Sequence, residues 1–127
     1  MVPSRLLLDS HIILWSQDGI NLTKRTRDIM GTASELICSV ATVWEISIKV
    51  KKGKITLPST WLSMVISSGI SLLDLTAEHA YTIGAVDLPH GDPFDRVLVA
   101  QAMSEQLGLL TADVTLLNTA YPFILKA

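Results

Sequence analysis

The sequence predicts an α/β fold, a single domain in which a parallel sheet of four or five strands is flanked by helices on both faces. The length of 127 residues suits one domain, which we expect to span residues 1–127. Short apolar runs alternate with segments of helical character, which is the order of successive strand–helix units. The runs are apolar at consecutive positions, as in strands that helices cover on both sides.

Four apolar runs predict parallel strands, and a fifth segment fits an edge strand. The four runs cover residues 5–8, 35–38, 71–73 and 109–111, and the edge strand covers residues 123–125. After the second run, Ser39 fits the N-cap of a helix that reaches about residue 52, with Gly53 as its C-cap.

The other helices follow the same signals. Asp92 and Pro93 fit the N-cap and first position of a helix that runs to about residue 106 and is ended by Gly108. Further helices are predicted from residue 12, over 22–30 with Gly31 as a stop, over 58–68, from a Thr76 N-cap through about 86, and over 114–117, with a loop at 88–91.

The composition excludes several classes of protein. Cys38 is the only cysteine, so an internal disulfide cannot form, and its apolar surroundings predict a buried side chain. No stretch reaches the roughly 18 apolar residues of a membrane helix, and we find no secretory signal. The lone cysteine fits a reducing cytosol, so we expect a cytoplasmic protein with no membrane partner.

The charge balance does not decide whether the chain binds nucleic acid. The net charge is −2, from 12 acidic and 10 basic residues. If four carboxylates hold cations, however, eight acids remain against those ten bases. The bases are also clustered, one group comprising Lys49, Lys51, Lys52 and Lys54, and the other Lys24, Arg25 and Arg27.

Four acidic residues are candidates for a metal site. Asp9 follows the first strand directly, Asp113 comes two residues after the fourth, and Asp95 lies in the first turn of its helix. Glu45 is the only charged residue between positions 40 and 48. Ligands of parallel sheets collect beyond the carboxyl ends of the strands. A divalent cation such as Mg²⁺ or Mn²⁺ would relieve the repulsion between grouped carboxylates.

Each acid also has an ordinary structural interpretation. Asp9 fits a turn, Glu45 fits an exposed pair with Lys49 at i+4, and Asp95 and Asp113 fit helix N-termini. Asp92 is better explained as a cap than as a ligand. The histidines His11, His79 and His90 show no metal-ligand spacing, and for His11 a structural role is favoured over the alternative that it lines the site. The residues alone therefore predict an α/β domain with a candidate acidic metal site.

The sequence resembles PIN-domain nucleases, and more narrowly the toxin component of VapBC-type toxin–antitoxin modules. Residues 7–15 resemble the opening of that family. Three further blocks match in order, at residues 39–49, at 92–96 running into 100–102, and at 111–113. The resemblance therefore covers nearly the whole chain.

The resemblance implies an acidic quartet at Asp9, Glu45, Asp95 and Asp113 that holds Mg²⁺ or Mn²⁺ and carries out endoribonucleolytic cleavage. The hydroxyls of Ser10 and Thr111 match positions that orient carboxylates or water, although threonine is commoner in the family where Ser10 stands. Asp92 joins them as a supporting residue. The resemblance also implies an RNA substrate, a cognate antitoxin that inserts a peptide into the acidic groove, and a homodimer.

The basic residues near the quartet are candidates for contact with the RNA backbone. They are Lys49, Lys51, Lys52, Lys54 and Arg96. For the lysines the alternative is a solvated helix surface, and for Arg96 it is a brace for an acid. Two rival functions remain: a catalytically silent relative that binds RNA or protein, and a phosphotransfer domain. The second is disfavoured because His11 stands where such phosphatases place a second aspartate.

Overall fold

The computed structural model describes residues 4–89 and 91–127, and within those ranges the chain forms five strands and seven α-helices. The strands are β1 (Arg5–Leu8), β2 (Glu35–Ser39), β3 (Ser71–Leu73), β4 (Gly108–Thr111) and β5 (Ile124–Lys126). The helices are α1 (Ser10–Asp18), α2 (Lys24–Thr32), α3 (Val40–Lys51), α4 (Trp61–Ser67), α5 (Ala77–Thr82), α6 (Pro93–Glu105) and α7 (Val114–Leu117). A 3₁₀ turn, Ile83–Ala85, follows α5.

All five strands are parallel, in the order β3-β2-β1-β4-β5. In the centre, Leu7 pairs with Ile37 on one side and with Leu109 on the other. The direction of the strand order reverses between β1 and β4, and the helices that follow these two strands, α1 and α7, pack on opposite faces of the sheet. The carboxyl ends of β1 and β4 therefore flank the crevice in which such sheets bind ligands.

Two apolar cores lie on the two faces of the sheet, because successive strand residues point in opposite directions. Leu7 and Leu109 belong to the core that α6 and α7 cover. Leu6, Leu8 and Leu110 belong to the core that α1, α3 and α4 cover. The predicted α/β fold with helices on both faces is confirmed, with five strands.

Cys38 lies in the second core and is fully buried, as predicted. Burial raises the pKa of its thiol to about 12, so the side chain is an uncharged packing group at neutral pH. No helix formed by residues 4–89 or 91–127 combines the length and apolarity that crossing a bilayer demands.

Two predicted helix starts and one predicted helix end were displaced. The first helix begins at Ser10 rather than residue 12, because the Asp9 side chain caps it by accepting from the Ile12 N–H. The helix predicted from residue 58 begins at Trp61, and residues 58–60 form a turn. The helix after Thr76 ends at Thr82 and continues only as the 3₁₀ turn.

Two glycines predicted as helix stops do not end their helices. Gly31 lies inside α2, which continues to Thr32. Gly108 is the first residue of β4, and α6 ends instead at Gln106, whose φ of 57° is left-handed. By contrast, Gly53 follows α3 with a φ of 72°, the conformation expected of a residue that ends a helix. The predicted loop at residues 88–91 includes His90, which lies outside the described residues.

Candidate active site

Asp9 and Thr111 meet where β1 and β4 end side by side. Asp9 is 5% exposed, and its Oδ1 accepts a hydrogen bond from the Ile12 N–H at 3.1 Å. Its Oδ2 accepts a second bond from the Thr111 hydroxyl. The same hydroxyl oxygen accepts from the Asp113 N–H at 2.9 Å. One buried hydroxyl therefore positions Asp9 and the backbone of Asp113 together.

Asp95 shows that the acidic side chains converge. Its pKa is raised to about 7, first by burial and then by the negative charges of Asp92, Asp113, Glu45 and Asp9. A carboxylate shifts another carboxyl group's pKa in this way only when the two are near each other. The charges of the other three predicted acids therefore reach Asp95, although the four acids come from four separate elements.

Burial also raises the pKa of Asp9, while its bonds from Thr111 and Ile12 and the nearby His11 partly offset that effect. Burial is the largest cause of the raised pKa at both Asp9 and Asp95, and the negative charge of neighbouring carboxylates adds to it.

Glu45 lies on α3, which packs against α6. Its side chain is only 14% exposed, and Oε2 lies 3.1 Å from the Nζ of Lys49. The predicted i+4 pair with Lys49 therefore forms, but the glutamate is largely buried rather than exposed. Within the described residues, Lys49 is the one lysine of this cluster that pairs with Glu45. Lys51, Lys52 and Lys54, which follow it along the chain, are exposed.

An open cavity of about 320 Å³ lies beside Asp9, lined by His11, Trp15, Ala112 and Asp113 as well. His11 is exposed there, with its ring centroid 5.8 Å from that of Trp15. The sequence favoured a structural role for His11, whereas the structure places it at the site. Its position two residues after Asp9, at the start of a helix, was the available signal.

The supporting residues occupy distinct positions around the acids. Asp92 caps α6, and its Oδ1 accepts from the N–H groups of Phe94 at 2.9 Å and Asp95 at 3.4 Å. Ser10 is buried at the start of α1, and within residues 4–89 and 91–127 its hydroxyl makes no hydrogen bond to an acid.

Arg96 holds the segment that precedes α6. Its Nη1 donates to the carbonyl of Val86 at 3.0 Å, and its Nη2 donates to the carbonyl of Leu88 at 3.4 Å. These bonds direct the guanidinium toward the backbone of its own loop, an anchoring contact that the sequence did not indicate.

The donor set fits a hard divalent cation, because every candidate ligand is a carboxylate oxygen. Over the described part of the chain, no three acidic, histidine or cysteine side chains are grouped so that they would ligate one ion together. Mg²⁺ suits such a site because it keeps several waters and is bound through only one or two carboxylates. The raised pKa values of Asp9 and Asp95 indicate the charge that a cation would neutralise.

Comparison with known proteins identifies the family. The family model described as PIN domain matches residues 6–120. The chain belongs to the PIN domain family. PIN domains are generally nucleases, and PIN nucleases generally use divalent metals. No curated protein matches the chain significantly.

Solved structures share this PIN fold over nearly the full chain. One chain of DNA-bound VapBC from Salmonella typhimurium is 20% identical, with a TM-score of 0.69 over 100% of this chain and 98% of that chain. One chain of VapBC2 from Rickettsia felis, bound to a promoter DNA fragment, is 12% identical, with a TM-score of 0.68 over 97% of each. A toxin–antitoxin complex from Klebsiella pneumoniae contributes a chain 16% identical, with a TM-score of 0.65 over 94% of this chain and 95% of that chain.

Proposed function

We propose that this PIN domain is a Mg²⁺- or Mn²⁺-dependent endoribonuclease that acts as the growth-inhibiting toxin of a toxin–antitoxin pair in the cytoplasm. The observation that carries the proposal is the buried carboxylate of Asp9, which Thr111 and the Ile12 N–H hold where β1 and β4 end, beside the backbone of Asp113. Four carboxylates at the carboxyl edge of a PIN sheet are the ligand set that a phosphodiester-cleaving metal site needs.

Asp9, Glu45, Asp95 and Asp113 would hold the cation. When bound, a divalent cation supplies Lewis acidity toward the phosphodiester and neutralises the grouped acids. Thr111 holds Asp9 in one orientation, because its hydroxyl donates to Oδ2 while the Ile12 N–H occupies Oδ1. The pKa of Asp95, raised to about 7 in the metal-free site, would fall if a cation neutralised the surrounding acids.

The lysines that follow Glu45 would contact the RNA backbone. Lys49 is already within 3.1 Å of Glu45. Lys51, the last residue of α3, lies about 9 Å along the helix from Glu45 at 1.5 Å per residue, so the exposed Lys51, Lys52 and Lys54 would meet phosphates beyond the scissile one. Lysine acts on phosphate as a flexible point charge, which suits contacts of this kind.

The likeness to chains of toxin–antitoxin complexes supports an antitoxin partner. Such a partner would insert a peptide into the acidic groove, and a cationic peptide would satisfy the excess negative charge that raises the pKa of Asp95. We further propose a homodimer. The exposed apolar side chains Leu62, Met64 and Ile66, on one helix, offer apolar area for association.

The test compares RNA cleavage by the purified wild-type protein and by Asp9→Asn, with Mn²⁺ present. We expect the substitution to lower cleavage at least 100-fold, because Asp9 has both carboxylate oxygens fixed at the site. Asp28→Asn is the matched control, since Asp28 is an exposed partner of Lys24 on α2. Equal cleavage by wild type and Asp9→Asn would overturn the metal assignment.

The alternative is a catalytically silent PIN domain that binds RNA or protein. The observation in its favour is that no three ligand side chains are grouped within residues 4–89 and 91–127. Titration calorimetry separates the two functions, because the nuclease requires Mg²⁺ or Mn²⁺ binding that Asp9→Asn weakens. Undetectable binding of both ions to the wild-type protein would favour the silent domain.

A further inference from the structure

Trp44 is a large aromatic side chain that is not buried in either apolar core. It is 59% exposed on α3, whereas Ile46, two residues later, is 2% exposed. Its ring contacts that of Phe94 edge-to-face, with centroids 5.2 Å apart and planes inclined at 79°. Such a contact is favourable and specific in geometry. Phe94 therefore holds the indole in place while more than half of Trp44 stays open to solvent.

The aromatic pair lies beside the acidic site. Trp44 directly precedes Glu45 on α3, and Phe94 directly precedes Asp95 on α6. The charge of Glu45 acts on Asp95, so the two helices bring these acids together. The contact between Trp44 and Phe94 joins the same two helices at the neighbouring positions.

The electrostatics of the site favour a neutral contact there. Glu45 directly follows Trp44 and Asp95 directly follows Phe94, so phosphate groups gain little attraction from the acids themselves. The π-face of a nucleobase carries no net charge and stacks on an indole with useful affinity whatever its sequence. An exposed tryptophan beside an acidic centre is thus suited to stack on a base while the RNA backbone lies next to the acidic side chains.

We propose that Trp44, held by Phe94, is a stacking platform for one unpaired base of the RNA next to the scissile phosphate. This inference rests on the proposed function, because it concerns the substrate of the same site. Stacking requires a base that has left its helix, so the platform selects single-stranded RNA over duplex. Trp44 would bind substrate rather than take part in the chemistry.

The test measures binding without cleavage. The probes are an eight-nucleotide adenosine RNA and inorganic polyphosphate, which is a charged chain without bases. Each probe is titrated into the protein in EDTA while the tryptophan fluorescence of the protein is recorded. We expect RNA, but not polyphosphate, to quench the wild-type protein. Trp44→Leu should lose most of the quenching and bind RNA roughly 5- to 150-fold more weakly. Trp44→Phe should restore most of the affinity, because it keeps an aromatic face.

Two controls separate stacking from other roles of this surface. Tyr81→Leu removes an exposed aromatic side chain on α5 and should leave RNA affinity unchanged. Trp61→Phe, at a tryptophan buried in the core beneath α4, should keep the RNA-induced quenching that Trp44 provides. Sedimentation of each variant reports the oligomeric state. If Trp44→Leu converts a dimer to a monomer while RNA affinity stays the same, Trp44 belongs to an interface between copies, and the inference is overturned.

The same titration on Asp9→Asn distinguishes this inference from the proposed function. Quenching by RNA that persists in Asp9→Asn supports the platform, whatever the cleavage assay shows. If the wild-type protein cleaves RNA but Trp44→Leu binds the octamer as tightly as wild type, the platform is wrong and the nuclease stands. The absence of RNA-induced quenching in the wild-type protein would likewise overturn the platform.

Discussion

The Thr111 hydroxyl, at the end of β4, donates a hydrogen bond to Oδ2 of Asp9, which directly follows β1. The two residues are 102 positions apart in the chain and come together because β4 pairs with β1 in the sheet. Thr111 is fully buried, so no water competes for this bond. The orientation of the Asp9 carboxylate therefore depends on β4, the strand that ends at Thr111.

Thr111→Val tests this bond, because valine keeps the shape of threonine and removes the hydroxyl. We expect RNA cleavage and Mn²⁺ affinity to fall by roughly 10- to 100-fold, as is typical when a group that orients a metal ligand is lost. Thr111→Ser should retain most of both, since it keeps the donor. Cleavage assays and titration calorimetry on the two variants provide the measurement. Unchanged Mn²⁺ affinity in folded Thr111→Val would contradict the proposed orienting role.

Asp95→Asn tests the electrostatic strain of the metal-free site. In the folded protein the pKa of Asp95 is about 7 against an ordinary value of 3.8, so the folded state binds more protons than the unfolded state between those values. The stability contributed by this group is therefore present below pH 3.8 and is lost as pH rises to about 7.

Asparagine carries no charge, so it should escape that loss. In EDTA at pH 8 we expect Asp95→Asn to melt roughly 3–6 °C above wild type, and the difference should shrink toward zero near pH 4. Thermal melts across this pH range provide the measurement, with Asp28→Asn as the exposed control. An equal or lower melting temperature at pH 8 would show that the other acids do not destabilise ionised Asp95.

The lysines after Glu45 can be tested through the salt dependence of RNA binding. Replacing Lys51, Lys52 and Lys54 together with glutamine should lower the slope of log K against log salt by about 2, since each phosphate contact with a single strand contributes about 0.7. Arg25→Gln with Arg27→Gln is the control, because α2 leads into the amino end of β2, away from the acids. If both variants change the slope equally, the contact is not local to α3.

A buried polar network that joins α5 to α6 should contribute to stability but not to cleavage. His79 is fully buried, with Nε2 3.0 Å from Oε2 of Glu105 and Nδ1 accepting from the Thr76 N–H at 3.2 Å. We expect His79→Leu to lower the free energy of unfolding by about 2–3 kcal/mol, because it leaves buried polar groups without partners.

Urea unfolding measures that loss. Tyr81→Ala, at a side chain that is 90% exposed, should change the free energy of unfolding by no more than about 0.5 kcal/mol. Glu105 lies about 15 Å along α6 from Asp95 at 1.5 Å per residue, so RNA cleavage per folded molecule should stay the same in His79→Leu. A selective loss of cleavage would instead link this network to the acidic site.

The sequence alone determined the order of strands and helices and the positions of the acids along them. Apolar runs and capping residues act over a few neighbouring positions, so Ser39 and Asp92 correctly marked the starts of α3 and α6. Helix ends were less certain. Gly31 stays within α2, and Gln106 rather than Gly108 caps the end of α6 in the left-handed conformation, so a glycine near a helix end did not by itself mark where the helix stops.

Only the tertiary structure decided which side chains meet. The pairing of β1 with β4 brings the Thr111 hydroxyl to Asp9, and the packing of α3 on α6 brings Glu45 toward Asp95 and Trp44 onto Phe94. Residues so far apart in the chain leave no local pattern by which their contact could be predicted. The pKa of Asp95 follows from the same convergence, since burial and neighbouring charge exist only once the chain has folded.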